Sequence, residues 1–367
     1  MRKAILLLLS CVIVIFASCI EKKEKVSDIS CEVIKLDYNE KNDIFLPIDT
    51  VSFIKIEDNY DNPIHAIYGI NVHNDTIYIF DKRLKRLLSY DKQGRFLYKF
   101  GEQGNSKSEY IGLNAFDVDN KYVYLNDRAK KKMLLFTHNG TFVKSITTKF
   151  RIKSFKALHN GNMLISIVKD ESMIKLCLVD SVFNIKKTFA TFNQNDKDDL
   201  SNYNLFQKHN NMITYNDDLS DSIIIFNKNG EIEKSYYVDF GAYSVSTENK
   251  YNFENIMNET ELVKYAFISD CPLMTSNNIF IPTNFLNKEA IIIYDNQTKK
   301  NTIRTIELQN LNHKDIINPL CYNNGYIYSW IDNDCLEYYS DINKIPIDIQ
   351  EHLHEGGFVL ISYKLKE

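Results

Sequence analysis

The chain has 367 residues, of which 44% are hydrophobic and 25% charged, and this is the composition of a globular protein. Its formal charge of −4 disfavours nucleic-acid binding, and its 7 cysteines show neither CxxC spacing nor the density of a disulfide framework. The 23 Tyr and 22 Phe residues, against 12 Gly and 6 Pro, favour β-structure with Asn and Asp serving many turns.

The first predicted element is a targeting segment, MRKAILLLLSCVIVIFASC. Arg2 and Lys3 precede an apolar run that is too short for a typical membrane-spanning helix, and Ala17-Ser18-Cys19 resembles a bacterial lipobox. We predict a lipoprotein signal peptide over residues 1–18, lipidation of Cys19 and a polar tether over residues 19–30. The alternative is an ordinary secretory signal cleaved nearby, and either segment would export the protein. Loss of Arg2 and Lys3 moves the formal charge from −4 to −6.

A repeating unit fills the rest of the chain with a period of roughly 40–50 residues, which is typical of β-propeller blades. Each unit has an apolar strand, a polar turn, a second strand and then, in five copies, a hairpin, whose turn is Asn-Gly or Gln-Gly in three of them. The second strands read NDTIYIFD, NKYVYLND, NGNMLISI, NNMITYND, NNIFIPTN and NNGYIYSWID. These six copies predict an all-β fold, a six-bladed β-propeller with four-stranded blades, as a single domain over residues 31–367.

The sixth unit lacks a hairpin of its own, and the strand TVSFIKIED near the N-terminus has no blade. We predict that this N-terminal strand closes the last blade beside the terminal segment GGFVLISYKLKE. Two segments exceed the period, residues 242–265 and 333–355, and we predict short helical insertions there. Both insertions, and the loop GEQGNSKSEY, fall on the same face of a propeller, which we predict to be the functional face.

The segments IYIFDKRLKRLLSYDKQGRFLYKFGEQGNSKSEY and DVDNKYVYLNDRAKKKMLLFTHNGTFVKSI resemble the NHL-like six-bladed β-propeller lipoproteins of Bacteroidota. The lipobox, the lead-in VSFIKIED and the terminal FVLISYKLK match the same layout, so the likeness spans nearly the whole mature chain. The resemblance implies an outer-membrane lipoprotein that faces the periplasm or the cell surface, and it implies little about activity. Of the family's Gly-x-Gly-Pro-Gly-Glu-Tyr loop, this chain keeps only Gly104, Glu109 and Tyr110.

Candidate binding residues lie on the predicted functional face. The loops DKRLKR and DRAKKK form a positive patch on adjacent blades, suited to an anionic glycan, a lipid headgroup or an acidic partner, although solvated loops are the alternative. The single Trp330 could stack on a sugar or lie at the edge of the core. The predicted binding residues are Arg83, Glu109, Tyr110, Arg128, Lys130, Trp330 and Asp332.

An acid or amide ends each second strand, and six such residues could form a ring at one face: Asp81, Asp127, Asp170, Asp217, Asn284 and Asp332. Calcium favours such oxygens, and six-bladed lactonases and phosphotriesterases hold a central calcium. Closure of a turn by each Asx side chain explains the same pattern. We therefore predict no metal and no cofactor.

The leading hypothesis is a non-catalytic, lipid-anchored binding module of the cell envelope, whose partner is a protein, a peptide or a glycan. Its contact with the membrane would be through the lipid only. One alternative is a metal-dependent lyase or hydrolase, with calcium in the central channel. The other is a structural subunit of an envelope complex. A basic and aromatic groove across blades 1 and 2 would favour binding, and a coordinated ion at the channel mouth would favour the enzyme.

Overall fold

Six β-sheets surround a central axis in the computed structural model, which describes residues 30–36, 48–196, 204–251, 259–305, 311–316 and 319–366. Residue contacts divide the chain into Met1–Ser30 and Cys31–Glu367, and all the strands and helices below belong to the second unit. No helix within the described ranges is both long and apolar enough to cross a membrane. The predicted six-bladed β-propeller is confirmed.

Two strands come before the first complete blade, β1 (Cys31–Lys35) and β2 (Ile48–Lys55). Blade 1 comprises β3 (Ile67–His73), β4 (Thr76–Asp81), β5 (Arg86–Asp91) and β6 (Phe96–Phe100). Blade 2 comprises β7 (Leu113–Val118), β8 (Val123–Asp127), β9 (Lys132–Phe136) and β10 (Phe142–Thr147). Blade 3 comprises β11 (Ile152–Ala157), β12 (Met163–Ile167), β13 (Ile174–Val179) and β14 (Ile185–Thr191).

The second half of the ring repeats this meander with two changes. Blade 4 comprises β15 (Phe206–His209), β16 (Met212–Asn216), β17 (Ser222–Phe226) and β18 (Ile232–Asp239), and it gains β1 as a fifth strand. Blade 5 has its first strand in two pieces, β19 (Ala266–Ile268) and β20 (Leu273–Met274), followed by β21 (Asn278–Phe285), β22 (Lys288–Asp295) and β23 (Asn301–Thr305). Blade 6 comprises β24 (Cys321–Asn323), β25 (Tyr326–Ile331), β26 (Val359–Leu365) and β2.

The N-terminal strand closes the last blade, as predicted. β2 pairs with β26 in antiparallel fashion, with Ile48 opposite Leu365 and Lys55 opposite Val359. Val51 and Phe53 of β2 pack against the apolar cluster between blades 5 and 6. Both ends of the propeller chain therefore meet in one sheet.

The sequence did not predict the position of β1. This strand pairs in parallel with β18, the outermost meander strand of blade 4, with Cys31 opposite Ser235 and Lys35 opposite Asp239. The chain therefore docks on blade 4 before it reaches blade 6.

Short helices occupy the two segments that exceed the repeat period, as predicted. α1 (Thr247–Tyr251) and α2 (Glu259–Leu262) lie between blades 4 and 5, and α3 (Asn333–Leu336) and α4 (Ile347–His354) lie between β25 and β26. Gly241–Tyr243 and Ile342–Lys344 form 3-10 turns. Ile349 and Leu353 of α4 are buried against blade 6.

Among the described residues, six apolar clusters form the core, one between each pair of neighbouring blades, and a small seventh cluster contains Leu219, Val245 and Phe267. The innermost strands β3, β7, β11, β15, β20 and β24 contact one another in a closed ring around the axis. We call the end of the axis where these strands begin the crossing face, since the connections between blades lie there. The opposite end is the hairpin face.

Candidate functional site

The inner strands enclose a small cavity at the crossing-face end of the axis. Its volume is about 40 Å³, which is room for a few water molecules or for one polar group of a larger ligand. The wall includes residues 68–71 of β3, 114–116 of β7, 154–156 of β11, 206–207 of β15, and Leu320 before β24. Five blades thus contribute to one cavity.

Two carboxamides in this wall are available to a bound molecule. The side chains of Asn71 and Gln207 have no hydrogen-bond partner among the residues that the structure describes. By contrast, Asn114 Nδ2 donates to Lys153 O at 2.9 Å, and Asn114 Oδ1 accepts from Asn126 Nδ2 at 2.7 Å. Asn114 therefore joins blades 2 and 3, whereas Asn71 and Gln207 keep free donors and acceptors.

A buried ion pair forms the charged part of the cavity. Lys156 Nζ donates to Asp117 Oδ1 at 3.0 Å, and the Ala157 amide donates to Asp117 Oδ2 at 2.8 Å. Asp117 is fully buried, and the Lys156 side chain is 14% exposed. Burial raises the pKa of the Cys271 and Cys321 thiols, and the positive charge of Lys156 opposes this effect.

An aromatic and basic rim borders the cavity on blades 1 and 2. The Tyr68 side chain is exposed, and Lys82 Nζ lies 4.2 Å from the centroid of its ring. Asn204 Nδ2 of blade 4 donates to Tyr68 O at 3.1 Å and so holds this backbone in place. Phe116, half-buried, lies with its ring centroid 5.9 Å from that of Phe80. A ligand at the cavity would meet an aromatic face at its edge.

Two aspartates near the same end of the axis, Asp270 and Asp218, have pKa values raised by burial. Asp270 follows β19, and the adjacent Cys271 Sγ donates to Leu205 O at 3.3 Å, which places Asp270 beside blade 4. Burial raises the pKa of Asp270 to about 7. Burial also raises the pKa of Asp218 to about 6, against the opposing effect of its ion pair with Lys153.

The basic loop of blade 2 binds a neighbouring segment of its own chain. Lys130 Nζ donates to Gly104 O at 2.8 Å, and Lys132 Nζ donates to Ser106 O at 3.2 Å. Lys130, a predicted binding residue, therefore holds the loop that connects blades 1 and 2. The predicted binding residues Arg83 and Arg128 are exposed and half-buried, respectively.

The two predicted binding residues at the end of this loop have different surroundings. The Glu109 carboxylate accepts the Ser106 amide at 2.7 Å, and this hydrogen bond holds the pKa of Glu109 below its usual range. Tyr110, in contrast, has a fully buried side chain, which in this structure is not open to a ligand at the surface. It packs with Phe100 and Phe136 between blades 1 and 2, where its large apolar surface is removed from water.

The remaining predicted residues, Trp330 and Asp332, lie at the end of β25 and just after it in blade 6. Trp330 is half-buried, and its ring centroid lies 5.6 Å from that of Phe358. Asp332 caps α3, with its carboxylate accepting the Cys335 amide at 3.3 Å. Asp332 thus has a local structural role.

The acidic residues at the ends of the second strands close turns. Asp81 accepts the amides of His65 at 2.8 Å and Leu84 at 3.0 Å, and Asp127 accepts the Ile111 amide at 2.8 Å. Each carboxylate therefore ties the loop after its strand to the segment that enters the blade. In the described part of the chain, no group of three or more His, Cys, Asp or Glu side chains is placed to hold a metal ion.

The sequence-based prediction missed the cavity residues. Asn71, Asp117, Lys156 and Gln207 each interrupt the apolar first strand of one of blades 1 to 4. A polar residue in an innermost strand faces either the axis or a neighbouring blade. The recurrence of such residues in four successive units could therefore have indicated a polar site at the axis.

Together these features define a class of protein, a six-bladed β-propeller with a polar cavity and an aromatic rim at one end of its axis. The chain belongs to the family described as domain of unknown function DUF4934, whose family model matches residues 31–355. No curated protein matches the sequence. The finer assignment to NHL-like lipoproteins stays a prediction.

The chain is similar to several solved structures. A protein from Bacteroides fragilis NCTC 9343 that is predicted to be exported is 19% identical with a TM-score of 0.72, over 92% of this chain and 100% of the other. A DUF4221 family member from Bacteroides vulgatus is 8% identical with a TM-score of 0.47, over 88% and 98%. Virginiamycin B lyase from Staphylococcus aureus is 11% identical with a TM-score of 0.41, over 70% and 74%. The first similarity shows the fold alone, and nothing is inferred from the other two.

Proposed function

We propose that this chain is an exported, lipid-anchored propeller that binds a glycan, a peptide or a protein of the cell envelope at its crossing face. The apolar N-terminal segment and Ala17-Ser18-Cys19 support export and lipidation at Cys19, which lies outside the described residues. The similar propeller from B. fragilis is also predicted to be exported. The lipid would hold the protein at the outer membrane, facing the periplasm or the cell surface, and would be its only contact with the membrane.

The observation that carries the binding proposal is the polar cavity. Asn71 and Gln207 are half-buried on strands that line the cavity, with Lys156 beside them, and neither amide has a partner among the described residues. A ligand in the cavity would displace water from these amides and would have to supply hydrogen bonds in its place, since an unpaired polar group in a confined site costs about 1–3 kcal/mol. Tyr68, Arg83 and Arg128 would extend the contact over the rim. No cofactor is needed for this role.

The test is an array of bacterial glycans and cell-wall peptides probed with the labelled mature chain, residues 19–367. We expect a defined set of probes to be retained, and the double variant Asn71→Ala, Gln207→Ala to lose at least about tenfold in affinity through the lost hydrogen bonds. Gln93→Ala is the matched control, because it removes an exposed amide from the outer hairpin of blade 1. Retention that is the same for all three proteins would place binding elsewhere and contradict the proposal.

A further inference from the structure

We infer that the ligand is a neutral sugar, whose hydroxyl or hydroxymethyl group enters the cavity between Asn71, Gln207 and Lys156 while its ring lies against Tyr68. This inference rests on the proposed binding function and adds the chemical class of the ligand. Its basis is the hydrogen-bonding capacity, the charge and the shape of the cavity.

The free groups of the cavity match hydroxyls. Each carboxamide of Asn71 and Gln207 offers both donors and an acceptor, and a hydroxyl likewise donates one hydrogen bond and accepts others. A ligand carboxylate would use only the donors, and it would leave both amide oxygens without partners in a confined space. The cavity volume of about 40 Å³ admits one such group, not a whole sugar ring.

The charge of the cavity is already balanced. The Lys156 ammonium lies 3.0 Å from the fully buried Asp117 carboxylate, so an anionic ligand would enter beside a negative charge without a free counter-charge. A neutral ligand avoids this cost, and Lys156 can still donate to its oxygens.

The rim supplies the apolar contact that sugars require. Tyr68 is 44% exposed at the edge of the cavity, with the half-buried Phe116 nearby in the same wall. Aromatic faces pack against the C–H groups of sugar rings, while the polar groups at the centre fix orientation. The arrangement is thus a stacking surface beside a hydroxyl-sized cavity.

Two pairs of sugars that differ only at the sixth carbon test the inference, glucose against glucuronate and galactose against galacturonate. We expect the mature chain to bind one neutral sugar with a dissociation constant on the order of 1 mM, by titration calorimetry or saturation-transfer NMR, and its uronate at least about tenfold more weakly. Gln207→Leu and Tyr68→Ala should each weaken this binding severalfold, and Gln93→Leu should not.

A charge variant provides the sharpest contrast. Asp117→Asn removes the negative partner of Lys156, so the preference should move towards the uronate, and thermal unfolding would show whether this variant is folded. If Asp117→Asn does not fold, the binding of the sugar pairs to the unaltered protein and to Gln207→Leu tests the inference without it. Equal or tighter uronate binding by the unaltered protein, or binding of none of the four sugars, would overturn the inference. The proposed function would survive that result if other array probes are lost on changing Asn71 and Gln207.

Discussion

Gly94 lies in the outer hairpin of blade 1 and touches the strand that closes the ring. Its φ is +81°, and a Cβ at this position would lie 1.9 Å from Lys55 O of β2. The Glu57 amide donates to Gly94 O at 2.8 Å, and the Phe96 amide donates to Glu57 Oε2 at 2.7 Å. Gly94 is therefore required both by the turn and by the close contact between blades 1 and 6.

We expect Gly94→Ala to lower the free energy of unfolding by about 2–4 kcal/mol, because a positive φ and a backbone clash add together. Gly161→Ala is the control: its φ is +77°, and no atom lies within 4 Å of the added Cβ. That variant should lose only about 1 kcal/mol. Urea unfolding of the three proteins measures both values, and similar losses at the two positions would show that the contact with Lys55 is unimportant.

The surroundings of Gly94 and Tyr110 could be predicted only in part from the sequence. The turn at Gly94 was predictable from a Gln-Gly pair between two strands, but its contact with Lys55 depends on ring closure. The burial of Tyr110 was unpredictable for a related reason. A tyrosine at the end of a polar loop can face solvent or fill a gap between blades, and only the packing of blades 1 and 2 decides.

At the element scale, β1 links two blades from outside. The Glu32 carboxylate on β1 accepts hydrogen bonds from Lys234 and from Tyr294, and Lys299 Nζ lies 2.8 Å from Glu32 Oε1. Lys234 belongs to blade 4, and Tyr294 to blade 5. Burial would raise the pKa of Glu32, but these hydrogen bonds outweigh it and lower the pKa to about 2.

We predict that Glu32→Gln loosens β1 selectively. The loss of a partly exposed ion pair is worth about 1 kcal/mol, so the amides of β1 should exchange with deuterium about fivefold faster, while the inner strands keep their rates. In the unaltered protein, a lowered pKa means that this stabilisation is present above the ordinary Glu value of 4.5 and is lost as pH falls from there towards 2.

Glu231→Gln is the matched control for this prediction, because Glu231 forms an exposed ion pair with Lys187 between blades 3 and 4. It should leave β1 exchange unchanged. Equal acceleration of β1 in both variants, or none in Glu32→Gln, would refute a specific role for Glu32.

The blades and the position of β1 differ in how far they could be predicted. Six repeats with regular turns predicted the blades, since each strand pairs with its neighbour in sequence. The segment CEVIK carries no such signal. It is five residues long, and its partner β18 begins at Ile232, so only the finished blade 4 creates the edge on which it docks.

At the scale of the whole molecule, the ring depends on β2. Without it, blade 6 would keep three strands, and Ile48, Val51 and Phe53 would no longer cover the cluster between blades 5 and 6. These three side chains are partly buried, so each contributes less than the about 1.5–3 kcal/mol of a fully buried one. Their sum is still sizeable against a typical net stability of about 5–15 kcal/mol.

We therefore expect a chain that begins at residue 57, without β1 and β2, to lose cooperative thermal unfolding as followed by circular dichroism. A chain that begins at residue 37 lacks only β1 and should keep a single transition with a modestly lower midpoint. If the chain that begins at residue 57 unfolds cooperatively near the original midpoint, five complete blades hold the fold without closure of blade 6 by β2.

The candidate site belongs to the whole molecule as well. Asn71, Lys156 and Gln207 come from three blades and are far apart in sequence, so their meeting at the axis follows from the ring and from no local pattern. Loop length and charge directed the prediction to the rim instead, where Lys130 proved to bind its own chain.

The order of β1 and β2 along the chain also has a mechanical consequence. Tension applied to the chain ahead of Cys31 acts first on the β1–β18 ladder and on the Glu32 ion pairs, and it reaches β2 only after these contacts break. The contacts of β1 with blade 4 would therefore break before β2 separates from blade 6. Force on the N-terminus would be borne by β1 before it could open the ring.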